Sequence, residues 1–178
     1  MKLAFTKMHG CGNNYIYFNC FDQTVPDPES LSIKLSEPHF GIGGDGIILI
    51  SPSDKADAQM RIFNADGSEG KMCGNGIRCV GKYLYDNGMT DGRTTITIDT
   101  LSGVKTLELH VRDGKMQTAR VDMGAAILEP AKIPVTMAGS SVIDAPLVVD
   151  EKVYHVTCVS MGNPHCVIVV DDVDSLKL

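Results

Sequence analysis

The stretch Phe63-Asn64-Ala65-Asp66-Gly67-Ser68-Glu69, followed two residues later by Met72-Cys73-Gly74-Asn75-Gly76-Ile77-Arg78-Cys79, switches from strand character to helix character and so decides the architecture. It opens on the end of Met60-Arg61-Ile62-Phe63, a β-branched and aromatic run that reads as a strand closed by the Asp66-Gly67 turn. It then enters a helix, because Ile77, Val80 and Leu84 recur at i, i+3 and i+7 and Asn87-Gly88 supplies a stop. Cys79, inside that helix, reads as a buried thiol. Cys73 instead falls at the helix entrance between glycines. Orphan N–H groups and the positive dipole end there favour an anion, and such a setting can bring a thiol pKa from about 8.5 into roughly the 3.5–7.5 range. Gly74 and Gly76 let a ligand come close to the backbone, where the same N–H groups hold a carboxylate. A thiolate base beside a carboxylate cradle suits removal of a proton from the carbon next to a carboxylate.

Upstream of this stretch, Tyr15-Ile16-Tyr17-Phe18 and Ile47-Ile48-Leu49-Ile50 read as strands. Asp27-Pro28-Glu29, with Leu31 and Leu35 four apart, starts a helix. Downstream, Thr95–Leu101, Val104–Val111 and Met116–Met123 form a meander turning at Ser102-Gly103 and Asp113-Gly114. Its middle strand alternates Leu107, Leu109 and Val111 with Glu108 and His110, so one face is buried. Pro130 and Pro134 bracket a linker into further strands near 147–149, 153–159 and 166–170. Many strands around few helices predict an α+β fold. Gly12-Asn13-Asn14-Tyr15-Ile16-Tyr17-Phe18 also resembles Gly162-Asn163-Pro164-His165-Cys166-Val167-Ile168, a faint internal repeat with an offset of 150 residues. The expected domains are residues 1–124, built around the Cys73 helix, and residues 125–178, a linker and the start of a second domain.

The chain has 178 residues, 16 Lys+Arg against 22 Asp+Glu, and a net charge of −6. That sign, with no basic run, argues against a nucleic-acid partner. A hydrophobic fraction of 43% with 21% charged residues is globular. The longest apolar run, Cys166-Val167-Ile168-Val169-Val170, is far short of a membrane span, and no signal-peptide core follows Lys2. A cytoplasmic protein with no membrane partner is the expectation. The six cysteines include no CxxC pair, so reduced thiols are expected and no metal site. Most of them, including Cys158 and Cys166 in strands, are expected to be buried. Gly41-Ile42-Gly43-Gly44-Asp45-Gly46 matches GxGxxG, but a helix precedes it and a strand follows. That is the reverse of a dinucleotide site, so the segment reads as a glycine turn. His165 taken alone reads as structural. Asn13, Asn64, Asn75 and Asn163 all sit at turn signals and, taken together, offer neutral amides suited to a zwitterion.

Three segments in order, Met8-His9-Gly10-Cys11-Gly12-Asn13, Phe63 through Cys79, and Ser160 through His165, closely resemble the signatures of the diaminopimelate epimerase family. The resemblance implies a cofactor-independent enzyme interconverting LL- and meso-diaminopimelate, a small-molecule substrate of lysine and peptidoglycan synthesis. It implies a pseudo-symmetric pair of domains, each a β-barrel-like sheet around a central helix, and a tendency to form homodimers. By the resemblance, Cys73 is one of two thiols flanking the substrate α-carbon. Gly74 and Asn75 then hold the reacting end, Asn13, Asn64 and Asn163 bind polar groups, and His165 influences thiol ionisation.

Two departures stand out. Gly46 occupies a position where the family often has glutamine. A second Cys-Gly-x-Gly and the Glu-Arg pair of the family are missing, and the repeat offset from Cys73 falls beyond Leu178. The expectation is therefore the first two thirds of such an enzyme, with its second domain unfinished and the chain inactive alone. Competing readings are another racemase or isomerase of the same fold, and a non-catalytic fragment keeping half a carboxylate site, with a zinc module behind both.

Overall fold

The computed structural model describes residues 2–174. Met1 and residues 175–178, at the outer ends of the two expected domains, lie outside the described residues. The chain divides into two compact units, Met1–Met123 and Gly124–Leu178.

In the first unit, β1 (Thr6–Gly10) and β2 (Asn13–Asn19) form a hairpin, and helix α1 (Pro28–Ser36) leads to β3 (Gly46–Ser51) and β4 (Ala58–Asn64). The short β5 (Glu69–Gly70) precedes helix α2 (Gly74–Asp86), and a meander of β6 (Thr95–Asp99), β7 (Lys105–Arg112) and β8 (Lys115–Val121) follows. These strands make one mixed sheet in the order β1-β2-β3-β4-β6-β7-β8, with β5 added beside β4. The β2–β3 and β4–β6 pairings are parallel. Helix α2 packs against β1 and β2 as well as β7 and β8, so both edges of the sheet curl towards it.

Each helix takes one face of the sheet. Ile77, Val80 and Leu84 of α2 are buried with Ile48, Ile62 and Leu107, and each such side chain contributes about 1.5–3 kcal/mol of burial. On the opposite face Leu31 and Leu35 of α1 pack against Ile16, Phe18, Ile47 and Phe63. β2 and β3 are thus covered on both faces, which is why their sequences are unbroken apolar runs rather than alternating ones. β7 is covered on one face only: Leu107 and Leu109 are buried while Glu108 and His110 are exposed. Asp27 caps α1, its carboxylate accepting the Ser30 N–H at 3.2 Å.

The second unit contains an antiparallel sheet of β9 (Ala145–Val149), β10 (Lys152–Ser160) and β11 (Pro164–Ile168), in the order β11-β10-β9. Ile133, Val142, Val156 and Cys158 form its small core. The segment expected as a linker between Pro130 and Pro134 makes a 3-10 turn over Pro130–Lys132 and buries Ile133.

Two sequence expectations are corrected. The last strand, expected at 166–170, runs from Pro164 to Ile168, and Val169 is 90% exposed. Pro164 is tolerated because it is the first residue of the strand. Of the six cysteines only Cys79 and Cys158 are buried, Cys20 and Cys73 are half-buried, and Cys11 and Cys166 are exposed. Cys11 lies in the β1–β2 turn, and Cys166 lies on β11, an edge strand of its sheet. Among the described residues no helix is long and apolar enough to cross a membrane.

Candidate active site

Cys73 is the N-cap of α2. Its backbone is extended (φ −139°, ψ 107°), and Sγ accepts the Gly76 N–H at 3.2 Å. Gly76 packs closely on β3: a Cβ there would come within 2.6 Å of Ile48 Cδ1, so that side chain would have to shift to admit it. The Cys73 thiol also donates to Asn13 Oδ1 at 3.2 Å. The sulfur therefore has a partner for each protonation state, a carbonyl oxygen for the thiol and an amide N–H for the thiolate.

The amide of Asn13 is oriented by Asp45. Asn13 Nδ2 donates to Asp45 Oδ2 at 2.8 Å, and the Asn14 N–H donates to the same oxygen at 2.7 Å. With the nitrogen held there, the Asn13 oxygen faces the thiol. The Asp45 carbonyl accepts the Ala65 N–H at 3.1 Å, which ties the Asn13 strand to the turn after Asn64. That turn is closed by Asn64 Nδ2 donating to Ser68 Oγ at 3.0 Å. It is pinned from α1 by buried Ser32, whose hydroxyl contacts the carbonyl oxygens of Phe63 (2.9 Å) and Asn64 (2.7 Å).

At the helix start, Arg78 donates to the Gly74 carbonyl at 2.9 Å and to Asn75 Oδ1 at 2.6 Å. The guanidinium nitrogen that donates to Asn75 also lies 3.5 Å from Cys11 Sγ. Asn13, Cys73, Gly74 and Asn75 thus come together, with Asn64 joined through Asp45. Burial, reinforced by negative charge on Cys73, pushes the Tyr15 phenol up to about 12. Burial likewise raises the Cys79 thiol and the Tyr17 phenol.

Asn163 and His165 lie in the second unit, on the turn between β10 and β11 and at the start of β11. Both are exposed, and His165 Nε2 is 3.1 Å from Asn163 Oδ1. The Asn163 carbonyl accepts the Met161 N–H at 3.2 Å.

Gly46 has φ +148°, and a Cβ there would lie 2.1 Å from the Phe63 carbonyl oxygen. This backbone has no room for a glutamine side chain at position 46. A cleft of about 350 Å³ lies between β1, α2 and β8 and is lined by His9, Cys11, Arg78, Lys82 and Met116 among others. Cys73 does not line it. Among the described residues no three His, Cys, Asp or Glu side chains come together as a metal site.

Sequence reasoning missed Asp45 and Arg78. Arg78 was signalled by its position three and four residues after Asn75 and Gly74 on a helix. Asp45 was hidden inside the glycine turn.

The half-curled mixed sheet around one helix is a fold shared with solved structures of a racemase and an epimerase. The chain superposes on a probable proline racemase from Agrobacterium radiobacter solved with bound carbonate, with a TM-score of 0.70 at 16% identity over 94% of this chain and 52% of that one. It matches a hydroxyproline epimerase from Agrobacterium vitis with a TM-score of 0.66 at 16% identity, over 92% of this chain and 50% of that one. These likenesses show the fold. The sequence goes further: the profile of the diaminopimelate epimerase family matches residues 5–129. Diaminopimelate epimerase of Agathobacter rectalis is 54% identical over 99% of this chain, and that of Methanococcus maripaludis is 51% identical over 99%. The chain belongs to the diaminopimelate epimerase family. It spans 64% and 63% of the length of those two relatives.

Proposed function

We propose that residues 1–178 form the part of a diaminopimelate epimerase that carries one of its two proton-transfer thiols. The observation behind this reading is Cys73 Sγ at the N-cap of α2, held between the Gly76 N–H and Asn13 Oδ1 at 3.2 Å each. The substrate α-carboxylate docks on the N–H groups opening α2, where the dipole favours an anion. The Cys73 thiolate then takes the α-proton, and the developing charge beside the carboxylate is stabilised by the same donors. A second thiol on the opposite face returns a proton and inverts the centre. No cofactor enters this scheme. Asn13, Asn64, Asn75 and Asn163 bind the substrate's polar groups, and His165 acts on thiol ionisation. The family resemblance extends the reading to a cytoplasmic homodimer supplying lysine and peptidoglycan precursors.

Residues 1–178 hold a single Cys-Gly-x-Gly. A general acid or base contributes about 10²–10⁴ in rate, so this polypeptide alone is expected to bind diaminopimelate without exchanging its α-proton. Proton exchange in deuterated water, read by NMR, tests this together with calorimetry. A chain of the relatives' full length should exchange and lose exchange in Cys73→Ala. Exchange surviving that substitution would sink the assignment. Enzyme-like exchange by residues 1–178 would show that one thiol suffices.

A further inference from the structure

The β10–β11 hairpin places two cysteines directly opposite each other, Cys158 on β10 and Cys166 on β11. The Cys158 N–H donates to the Val142 carbonyl at 2.9 Å, on the side of β10 away from β11. In an antiparallel sheet a residue's N–H and C=O point the same way. The Cys158–Cys166 rung is therefore a non-hydrogen-bonded pair, the closer of the two kinds, with Cα atoms about 4.5 Å apart and side chains on one face. A disulfide accepts Cα separations of about 4.4–6.8 Å, so the rung can be bridged without moving the backbone.

The two thiols have different surroundings. Cys158 is 5% exposed and sits in the small core, where burial and then the neighbouring Cys166 raise its pKa. Cys166, on the edge strand, is exposed. One cysteine is exposed and the cysteine opposite it is buried, the arrangement of an attacking and a resolving thiol. The rung lies two residues before Ser160 and one after His165, at the base of the turn that carries Asn163.

We propose that Cys158 and Cys166 are a redox-active dithiol, which a small-molecule disulfide such as oxidised glutathione converts into a cross-strand disulfide that clamps the Asn163–His165 turn. The Cys166 thiolate attacks one glutathione sulfur, forming a mixed disulfide and expelling one glutathione thiolate. Cys158 loses its proton as it attacks the Cys166 sulfur, and the second glutathione leaves. The two protein thiols give up two electrons, the glutathione disulfide is reduced to two thiols, and these carry both protons. This chemistry is independent of the role of Cys73.

The test uses residues 1–178 incubated with oxidised glutathione, alkylated, and digested with trypsin without reductant. Val153 to Lys177 is a single tryptic peptide containing both cysteines. It should appear two hydrogens lighter than the dithiol form and refuse the alkylating reagent, then take it up at both cysteines after reduction. Cys166→Ser, an exposed change that leaves the core intact, should abolish the bridged peptide and leave Cys158 free of glutathione. A wild-type peptide that retains glutathione at Cys166, or that alkylates at both cysteines, overturns the proposal. So do disulfide-linked dimers in place of the internal bridge.

Discussion

The thiol of Cys73 meets the side-chain oxygen of Asn13 at 3.2 Å, although the two residues are 60 positions apart in the chain. The contact joins the helix entrance to the start of β2, and Asp45 sets its polarity by holding the Asn13 nitrogen. A reversed amide would turn an N–H donor towards the sulfur and favour the thiolate. The observed orientation gives the protonated thiol a partner too, which suits the proton-transfer role proposed for Cys73.

Cys73 has a structural role separable from its chemistry. Cys73→Ala removes the acceptor for the Gly76 N–H and should lower stability by about 1 kcal/mol, as loss of an N-cap does. Cys73→Ser restores an acceptor and should unfold near the wild-type urea midpoint. In a chain of the relatives' length both substitutions should abolish α-proton exchange. Equal destabilisation by Ser and Ala would show that the sulfur is not acting as a cap.

Asp45 reaches the Cys73 thiol through Asn13, as a positioning residue. Asp45→Ala frees the Asn13 amide and orphans the Asn14 N–H, and unfolding should shift by about 1–3 kcal/mol. Exchange in the full-length form should fall about tenfold or more as the amide loses its orientation. Asp45→Asn keeps an acceptor oxygen for the same donors and should recover most of both. If Asn proves as damaging as Ala, the carboxylate charge rather than the hydrogen bonds matters at this position.

What the sequence made legible follows from where it carried a period or a punctuation mark. Helix α2 announced itself through Ile77, Val80 and Leu84, and the meander through its alternating middle strand and its two glycine turns. Thr6–Gly10 was missed as a strand because β1 is a largely exposed edge whose pairing leaves no periodic apolar imprint. β5 is two residues long, too short to carry any period. The final strand was placed two residues late because apolar character continues to Val170 after pairing ends at Ile168. In the site, the Cys73 entrance was readable because it is local. The Asp45 bridge was not, since it exists only where residues some thirty positions apart meet.

Gly46 offers a steric test of the same loop. A Cβ at this residue would lie 2.1 Å from the Phe63 carbonyl oxygen, at a φ that side chains rarely adopt. Gly46→Ala should therefore cost about 3 kcal/mol or more by forcing β3 and β4 apart. Gly46→Gln should do no better. Thermal unfolding of both variants checks this, and a melting temperature within a degree or two of wild type for either would refute the packing argument.

Asp57 closes a short seam in the sheet. The β4–β6 pairing involves only Ala58 with Ile98 and Gln59 with Asp99. Next to it the Asp57 carboxylate accepts from Arg93 at 2.6 Å, from the Thr97 N–H at 2.7 Å and from the Thr97 hydroxyl at 3.0 Å. The Arg93 guanidinium, with help from Thr97, holds the Asp57 carboxyl below the usual carboxylate range. The group therefore ionises more readily in the folded chain, and at acid pH the unfolded chain binds the extra proton. Its stabilisation is complete above the unfolded value of about 3.9 and drains away as pH falls through the lower folded value. Asp57→Asn, which keeps the shape but loses the charge, should destabilise by about 1–2 kcal/mol at neutral pH. The gap to wild type should begin to narrow near pH 4 and close at lower pH. Urea unfolding of both proteins from pH 7 down to pH 3 measures it, and a gap that stays constant across that range would mean the carboxylate is not what holds β4 to β6.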